Sequence, residues 1–293
     1  MKPQKALDLL IPLIVILAVA AAGAGLFWQA GDSTFTFTTV RGETVQIYGE
    51  GLYRYDTPLI AVGYKLGDVI TLALGIPLLI IFLVLYRRGS LKGGLLLAGV
   101  LAYFLYTYGS LAIGASYNNF FLIYVILLSA SFFGLVSILL SFDVLALPMH
   151  FSSRLPRRGI SIYLIVTGII LCLVWLVLSI IPALLQGKAP PETAHYTTFI
   201  TGAVDLGIIV PALIISGALI LRRVPLGYLL APVLLVFTVI LGTGLTAAGI
   251  AQLLAGLVSI GQFIGFTAGF SMLTLFALWF TVVLFHNFSE SVI

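Results

Sequence analysis

One acidic side chain lies inside a long apolar segment. Residues 201–223 read TGAVDLGIIVPALIISGALILRR, and Asp205 is the one acid among them. A charge at the centre of a membrane helix costs roughly 2.5–3.5 kcal/mol on insertion scales, so such residues commonly mark a path or site for an ion, proton or solute. Two interpretations stay open: Asp205 faces a ligand or ion, or it is a structural acid held by hydrogen bonds.

The depth of Asp205 follows from its spacing to the next charge. It lies 17 residues before Arg222, about 25 Å at 1.5 Å per helical residue, whereas the hydrocarbon core is about 30 Å thick. We therefore expect Asp205 near the outer boundary, facing other helices or a wet cavity. Its expected partner is Lys188, His195, Arg54 or a tyrosine of the third helix.

The third helix and its exit read YFLYTYGSLAIGASYNN and are rich in hydroxyls and amides. Tyr103 and Tyr106 share one helix face. These residues form either an aromatic belt with a polar turn or a tyrosine-lined pocket that adjoins Asp205. The candidate ligand-binding residues are Asp205, Tyr103, Tyr106, Asn118, Asn119 and Arg54.

Two other acids have simpler interpretations. Asp68 opens an apolar run after Lys65-Leu66-Gly67, which predicts an N-cap at the positive end of the second helix. Arg54 and Asp56 in LYRYDTP form the one close ion pair expected in the outer loop. That pair is either a turn feature or part of a lid.

Sequence signatures of enzymes are absent. HExxH, GxSxG, Walker A and Cys-x-x-Cys motifs do not occur, and the three histidines fall at or near helix ends. The sequence therefore predicts no catalytic residue, metal site or cofactor, and it favours a non-enzymatic protein. Membrane-embedded proton chemistry by one acid and several tyrosines remains an alternative.

The composition requires a membrane to position these residues. Of 293 residues, 61% are hydrophobic and 8% charged, against about 25% charged in soluble domains. Apolar stretches of spanning length predict eight transmembrane helices in an all-α integral membrane protein. They lie at about 8–28, 69–86, 94–115, 120–140, 160–185, 199–221, 228–247 and 261–285.

The basic residues predict the orientation. With the N-terminus inside, ten lie on inner segments and four on outer ones, which places both termini in the cytoplasm of a cell-membrane protein. The inner ten are Lys2, Lys5, Arg87, Arg88, Lys92, Arg154, Arg157, Arg158, Arg222 and Arg223; the outer four are Arg41, Arg54, Lys65 and Lys188. This dispersed distribution indicates a bilayer partner and no nucleic acid.

Three segments carry further predictions. The apolar run from Leu9 to Trp28 is long enough to be a retained first helix rather than a secretory signal. The outer loop 30–67 alternates Phe and Thr around Arg41-Gly42-Glu43, which predicts a small β-hairpin. The stretch 242–261 is rich in glycine and uncharged, which favours a partly unwound or re-entrant element.

An internal repeat divides the chain. Residues 74–104 and 208–237 share a mid-helix proline, an arginine pair and a leucine-rich span. We therefore expect two four-helix units in tandem, 1–140 and 160–293, joined by a cytoplasmic connector at 141–159 and related by an axis along the membrane normal. In the last helix, Gly261, Gly265 and Gly269 predict a packing face, within the chain rather than against a second copy.

The stretches GLYRYDT, GDVITLALGIP and HYTTFITGAVDLGIIVP resemble an uncharacterised family of polytopic prokaryotic membrane proteins. This resemblance covers most of the chain and implies no activity or site residue. Two functions are compatible with the sequence. One is binding or passage of a small solute or ion through an outward-facing polar pocket between the units. The other is a non-catalytic subunit or sensor that binds a protein partner through residues 30–67.

Overall fold

A computed structural model describes residues 4–291 and contains eight helices long and apolar enough to cross a membrane. These eight helices confirm the predicted all-α membrane fold. A two-stranded hairpin lies between the first two helices, as was also predicted. The helices are α1 Ala6–Phe27, α2 Pro58–Arg87, α3 Leu91–Gly114, α4 Phe121–Leu139, α5 Arg157–Leu185, α6 Ile200–Leu221, α7 Pro225–Leu254 and α8 Ile260–His286. The strands are β1 Phe35–Thr38 and β2 Thr44–Ile47.

Three helices widen into a π turn immediately before a proline. The turns are Thr71–Gly75 before Pro77, Leu176–Ile180 before Pro182, and Asp205–Ile209 before Pro211. Proline has no N–H and clashes with the carbonyl four residues earlier, and a wider turn accommodates it at these three positions. The proline of the repeated segment thus produces the same distortion in α2 and α6.

Helices α3 and α7 form the centre of the bundle and pack along each other. Within each half, every helix also contacts its neighbours in sequence, and α1 packs on α4. Gly99 permits the α3–α7 approach, because a Cβ there would lie 2.5 Å from the Cβ of Val236. Side chains of α1 such as Ile11 and Ile14 are fully buried, so α1 belongs to the core.

The hairpin packs against the second half of the chain. Phe35 pairs with Ile47 and Thr38 with Thr44. From the turn, the Arg41 guanidinium donates to the carbonyls of Ala194 and Tyr196, in the segment between α5 and α6. We call the membrane side that carries these segments the hairpin side.

The first and last described residues of the chain lie close together on the opposite side of the membrane, which we call the terminal side. Asp8 forms an ion pair with Arg87 at the end of α2, and the Glu290 carboxylate accepts from the N–H groups of Leu91 and Lys92. Lys2, one of the basic residues used for orientation, lies outside the described residues.

Several sequence expectations are wrong. Helix α7 continues unbroken to Leu254, so no unwound element begins at Gly242. A Cβ added at Gly265 or Gly269 would meet no atom within 4 Å, so the glycine face contacts no other part of the described chain. Asp68 is not an N-cap, because α2 begins three turns earlier, at Pro58. The tandem duplication and its domain boundaries stay predictions.

Candidate functional site

Asp205 is the first residue of the π turn in α6, and its side chain is buried. The Tyr106 hydroxyl of α3 donates to one carboxylate oxygen over 2.9 Å, and the Trp175 indole N–H of α5 donates to the other over 2.9 Å. Both donors are neutral. Within residues 4–291, no Lys, Arg or His side chain lies within 4 Å of this carboxylate.

Aromatic contacts hold the two donors in place. The Trp175 ring meets Phe199 edge-on, with centroids 5.0 Å apart, where the chain enters α6. The Tyr106 ring meets Phe237 of α7 in a similar geometry at 5.6 Å. Such pairs fix ring orientation, so α3, α5, α6 and α7 together determine the position of the Asp205 carboxylate.

A cavity of about 70 Å³ adjoins Asp205. Its polar lining is Tyr106, Asp205 and the threonines 167, 238 and 274, and the rest is apolar, including Phe237 and Phe270. Thr238 and Thr274 donate their hydroxyl protons to carbonyls of their own helices. Their remaining lone pairs and the Asp205 carboxylate make the polar part of the cavity rich in acceptors, which suits a proton, water or small cation.

The predicted site residues fall into separate places. Asp205 and Tyr106 are together, as the tyrosine hypothesis required. The Tyr103 hydroxyl instead lies 2.9 Å from Thr71 Oγ1. The Asn118 side chain accepts a hydrogen bond from the N–H of Phe120 in the turn before α4. Asn119 is exposed, and the Arg54 guanidinium lies 4.7 Å above the Tyr55 ring.

The expected Arg54–Asp56 ion pair does not form. Asp56 is fully buried, and one of its oxygens accepts from the N–H of Ser116 over 2.9 Å and from the Tyr196 hydroxyl over 2.8 Å. Its other oxygen makes no hydrogen bond. Burial raises the pKa of Asp56, and these hydrogen bonds offset only part of that increase. The resulting pKa is about 6, against an ordinary value of 3.8.

Asp68 belongs to a second buried polar cluster. It accepts a hydrogen bond of 2.8 Å from Tyr53, whose ring lies 5.2 Å from that of Tyr64. The absence of a Cβ at Gly25 leaves room for this carboxylate, because a Cβ there would overlap it. Asp68 therefore fixes the outer loop against α1 and α2.

Two contributors to these sites were missed by the sequence reasoning. Trp175 lies in an apolar run where nothing in the spacing distinguishes it, but a buried indole N–H needs an acceptor, and that need is the available signal. Tyr196 lies in a short irregular segment between helices, and its partner is 140 residues away. Pairings across such distances depend on tertiary packing.

The fold defines a polytopic α-helical membrane protein. Within the described chain, no group of three or more His, Cys, Asp or Glu side chains is placed to hold a metal ion. Comparison with models of known protein families, with curated proteins and with solved structures finds no match. The resemblance to an uncharacterised prokaryotic family is thus an expectation that these comparisons do not test.

Proposed function

We propose that the protein binds a proton or a small monovalent cation at Asp205 and passes it between the adjoining cavity and the hairpin side of the membrane. The observation that carries this proposal is the buried carboxylate held by neutral donors only, with no cation paired to it among the described residues. A membrane-embedded acid of this kind is costly unless a positive charge or a proton neutralises it.

The size of the cavity limits the occupant. Water occupies about 30 Å³ per molecule in the liquid, so 70 Å³ accommodates about two waters or one partly hydrated monovalent ion. Asp205 is five residues beyond Ile200, the first residue of α6, about 8 Å along the axis. Asp205 therefore lies close to the hairpin side of the membrane.

Carbodiimide modification tests the site directly. Dicyclohexylcarbodiimide partitions into membranes and reacts with protonated carboxyls, and mass spectrometry separates Asp205 from Asp56 and Asp68. We expect labelling of Asp205 at acidic pH that slows as pH rises, and slows further with Na⁺ or K⁺ if the carboxylate binds that ion. Labelling that neither pH nor either cation changes would contradict the proposal.

A flux assay tests passage. Purified protein in liposomes with an internal pH dye should dissipate an imposed proton or cation gradient, and Asp205→Asn should abolish the flux. Asp32→Asn is the matched control, because it makes the same change at an exposed loop position. Equal flux by both variants at equal thermal stability would refute the role of Asp205.

The partner-binding alternative has one observation in its favour. The hairpin exposes apolar side chains, with Phe35 45%, Phe37 46% and Val40 100% accessible. A protein partner on residues 30–67 would cover them. Replacing Phe35 and Val40 by serine should release that partner in mild detergent while leaving Asp205 labelling unchanged.

We infer the orientation from the distribution of positive charge. The basic residues gather on the terminal side, and this bias favours a cytoplasmic location for both termini in a cell-membrane protein. A single cysteine at position 32 should react with an impermeant maleimide from outside intact cells, and one at position 88 should not. The reverse labelling would invert the assignment.

A further inference from the structure

A cavity of about 490 Å³ opens on the terminal side, where α5 begins and α6 ends. Its lining consists of Leu155, Pro156, Arg157, Arg158, Leu221 and Arg223. Within residues 4–291, none of these three arginines has a carboxylate within 4 Å. The Arg157 guanidinium donates to the Tyr228 hydroxyl over 3.2 Å, which orients it.

The placement of these charges is unfavourable without an anion. Arg157 and Arg158 occupy the first turn of α5, whose first turn contains no acid. The start of a helix carries partial positive charge, so two cations there repel it. Arg223 adds a third positive charge from the α6–α7 turn, where its backbone has φ +59°.

The corresponding turn in the first half has anionic partners of its own. Arg87 pairs with Asp8, and the Glu290 carboxylate accepts from Ser90 and from the N–H groups that begin α3. Arg222 and Arg223 follow Pro211 by 11 and 12 residues, one more than separate Arg87 and Arg88 from Pro77, and they have no such carboxylate among the described residues. Among the described residues, no carboxylate competes with an external anion for the arginines of the second half.

We propose that this arginine-lined cavity binds the phosphate group of an anionic phospholipid. Guanidinium groups bind phosphate oxygens through paired hydrogen bonds. The lipid source is favoured over free phosphate because the cavity lies at the ends of spanning helices, beside the exposed apolar side chains of Leu221 and Leu226, 46% and 42% accessible. Acyl chains would cover these side chains while the headgroup occupies the cavity.

The test is lipid retention by the purified full chain in neutral detergent. Native mass spectrometry with dioleoylphosphatidylglycerol measures an apparent Kd, and dioleoylphosphatidylcholine and inorganic phosphate are the comparison probes. Each basic residue near an anionic lipid contributes about fivefold, so Arg158→Gln with Arg223→Gln should weaken phosphatidylglycerol binding about thirtyfold. The control pair is Arg88→Gln with Arg222→Gln, which removes the same charge from the same side but spares the cavity lining.

Tight binding of phosphatidylglycerol by the wild type and the control pair, lost in the cavity pair, supports the proposal. An equal loss in both pairs would show attraction by overall charge and overturn the site. Equal retention of phosphatidylcholine would also overturn it. Displacement of the lipid by millimolar inorganic phosphate, with equal thermal stabilisation, would overturn the lipid as the source of the phosphate.

Discussion

The hydroxyl of Tyr106 on α3 lies 2.9 Å from a carboxylate oxygen of Asp205 on α6 and donates a hydrogen bond to it. One turn earlier on α3, the hydroxyl of Tyr103 lies 2.9 Å from Thr71 on α2. Asp205 and Thr71 each begin the π turn that precedes a proline. The two halves of the chain therefore place equivalent polar residues against one central helix, but only the second half places an acid there.

This arrangement provides a matched pair of tyrosine variants. Tyr106→Phe removes a hydrogen bond to Asp205 and should speed carbodiimide labelling of that carboxyl several-fold, because the ionised form loses a donor. Tyr103→Phe makes the same change on the same helix and should leave the labelling rate unchanged. Equal rates in both variants would show that Tyr106 does not control the carboxyl.

Trp175 should act in the same direction. Trp175→Phe keeps an aromatic ring against Phe199 but removes the N–H that donates to Asp205. A hydrogen bond to a charged group contributes about 1.5–3 kcal/mol, so we expect a lower thermal midpoint and faster labelling. The double variant with Tyr106→Phe should exceed either single one. A Trp175→Phe protein identical to wild type in both measurements would contradict the assigned hydrogen bond.

Asp56 should make stability depend on pH. Its pKa of about 6 in the folded chain exceeds the ordinary value, so the folded state binds the proton more tightly than the unfolded state. The stabilisation is present below about pH 4 and is lost as pH rises to 6, by on the order of 3 kcal/mol. Above pH 6, Asp56→Asn should be the more stable protein in a thermal scan.

His195 opposes this effect and must be separated from it. Burial lowers the pKa of His195, whose Nε2 lies 3.0 Å from Ser116 Oγ, so stability falls as pH drops below 6.5. In Asp56→Asn the histidine effect is no longer opposed by Asp56, and stability should decrease more on acidification than in the wild type. In His195→Gln the Asp56 effect is no longer opposed by the histidine, and stability should increase more on acidification than in the wild type. Parallel pH profiles for the two variants would refute the assignment.

Two glycines of α1 test the buried Asp68 cluster. Gly25→Ala introduces a Cβ into the space of the Asp68 carboxylate and 2.9 Å from the Tyr53 hydroxyl, and overpacking of this kind costs about 1–3 kcal/mol. Gly23→Ala, two residues earlier, meets no atom within 4 Å and should be neutral or stabilising. Midpoints of thermal unfolding in detergent measure both, and equal midpoints would contradict the packing.

The sequence predicted the features that depend on one segment at a time. Length and hydropathy predicted the eight helices, and alternating Phe and Thr predicted the hairpin at Phe35–Thr38. Helix starts were harder to predict. The first half of α2, Pro58–Ile70, is mostly apolar but contains Lys65 and Asp68, and these charges led to a late predicted start of the helix and to the wrong role for Asp68. The glycines of 242–261 led to the prediction of an unwound element, but α7 stays helical as far as Leu254 and packs against α8.

The site itself was predicted only in part. Asp205 and a tyrosine of the third helix were expected together because only a few groups could satisfy a buried acid. Spacing could not show that Tyr103 faces Thr71 and Tyr106 faces Asp205, since both share one helix face. That distinction depends on which neighbouring helix each hydroxyl meets, and the sequence of α3 contains no information on it.

The carbodiimide experiment on intact protein in liposomes tests the central claim most directly. The rate of Asp205 modification, followed by mass spectrometry across acidic to alkaline pH with and without Na⁺ or K⁺, should fall as pH rises, and Asp205→Asn should remove that product alone. An Asp205 carboxyl that stays unmodified at every pH, or reacts at one rate under all conditions, would mean a sealed structural acid and no binding site.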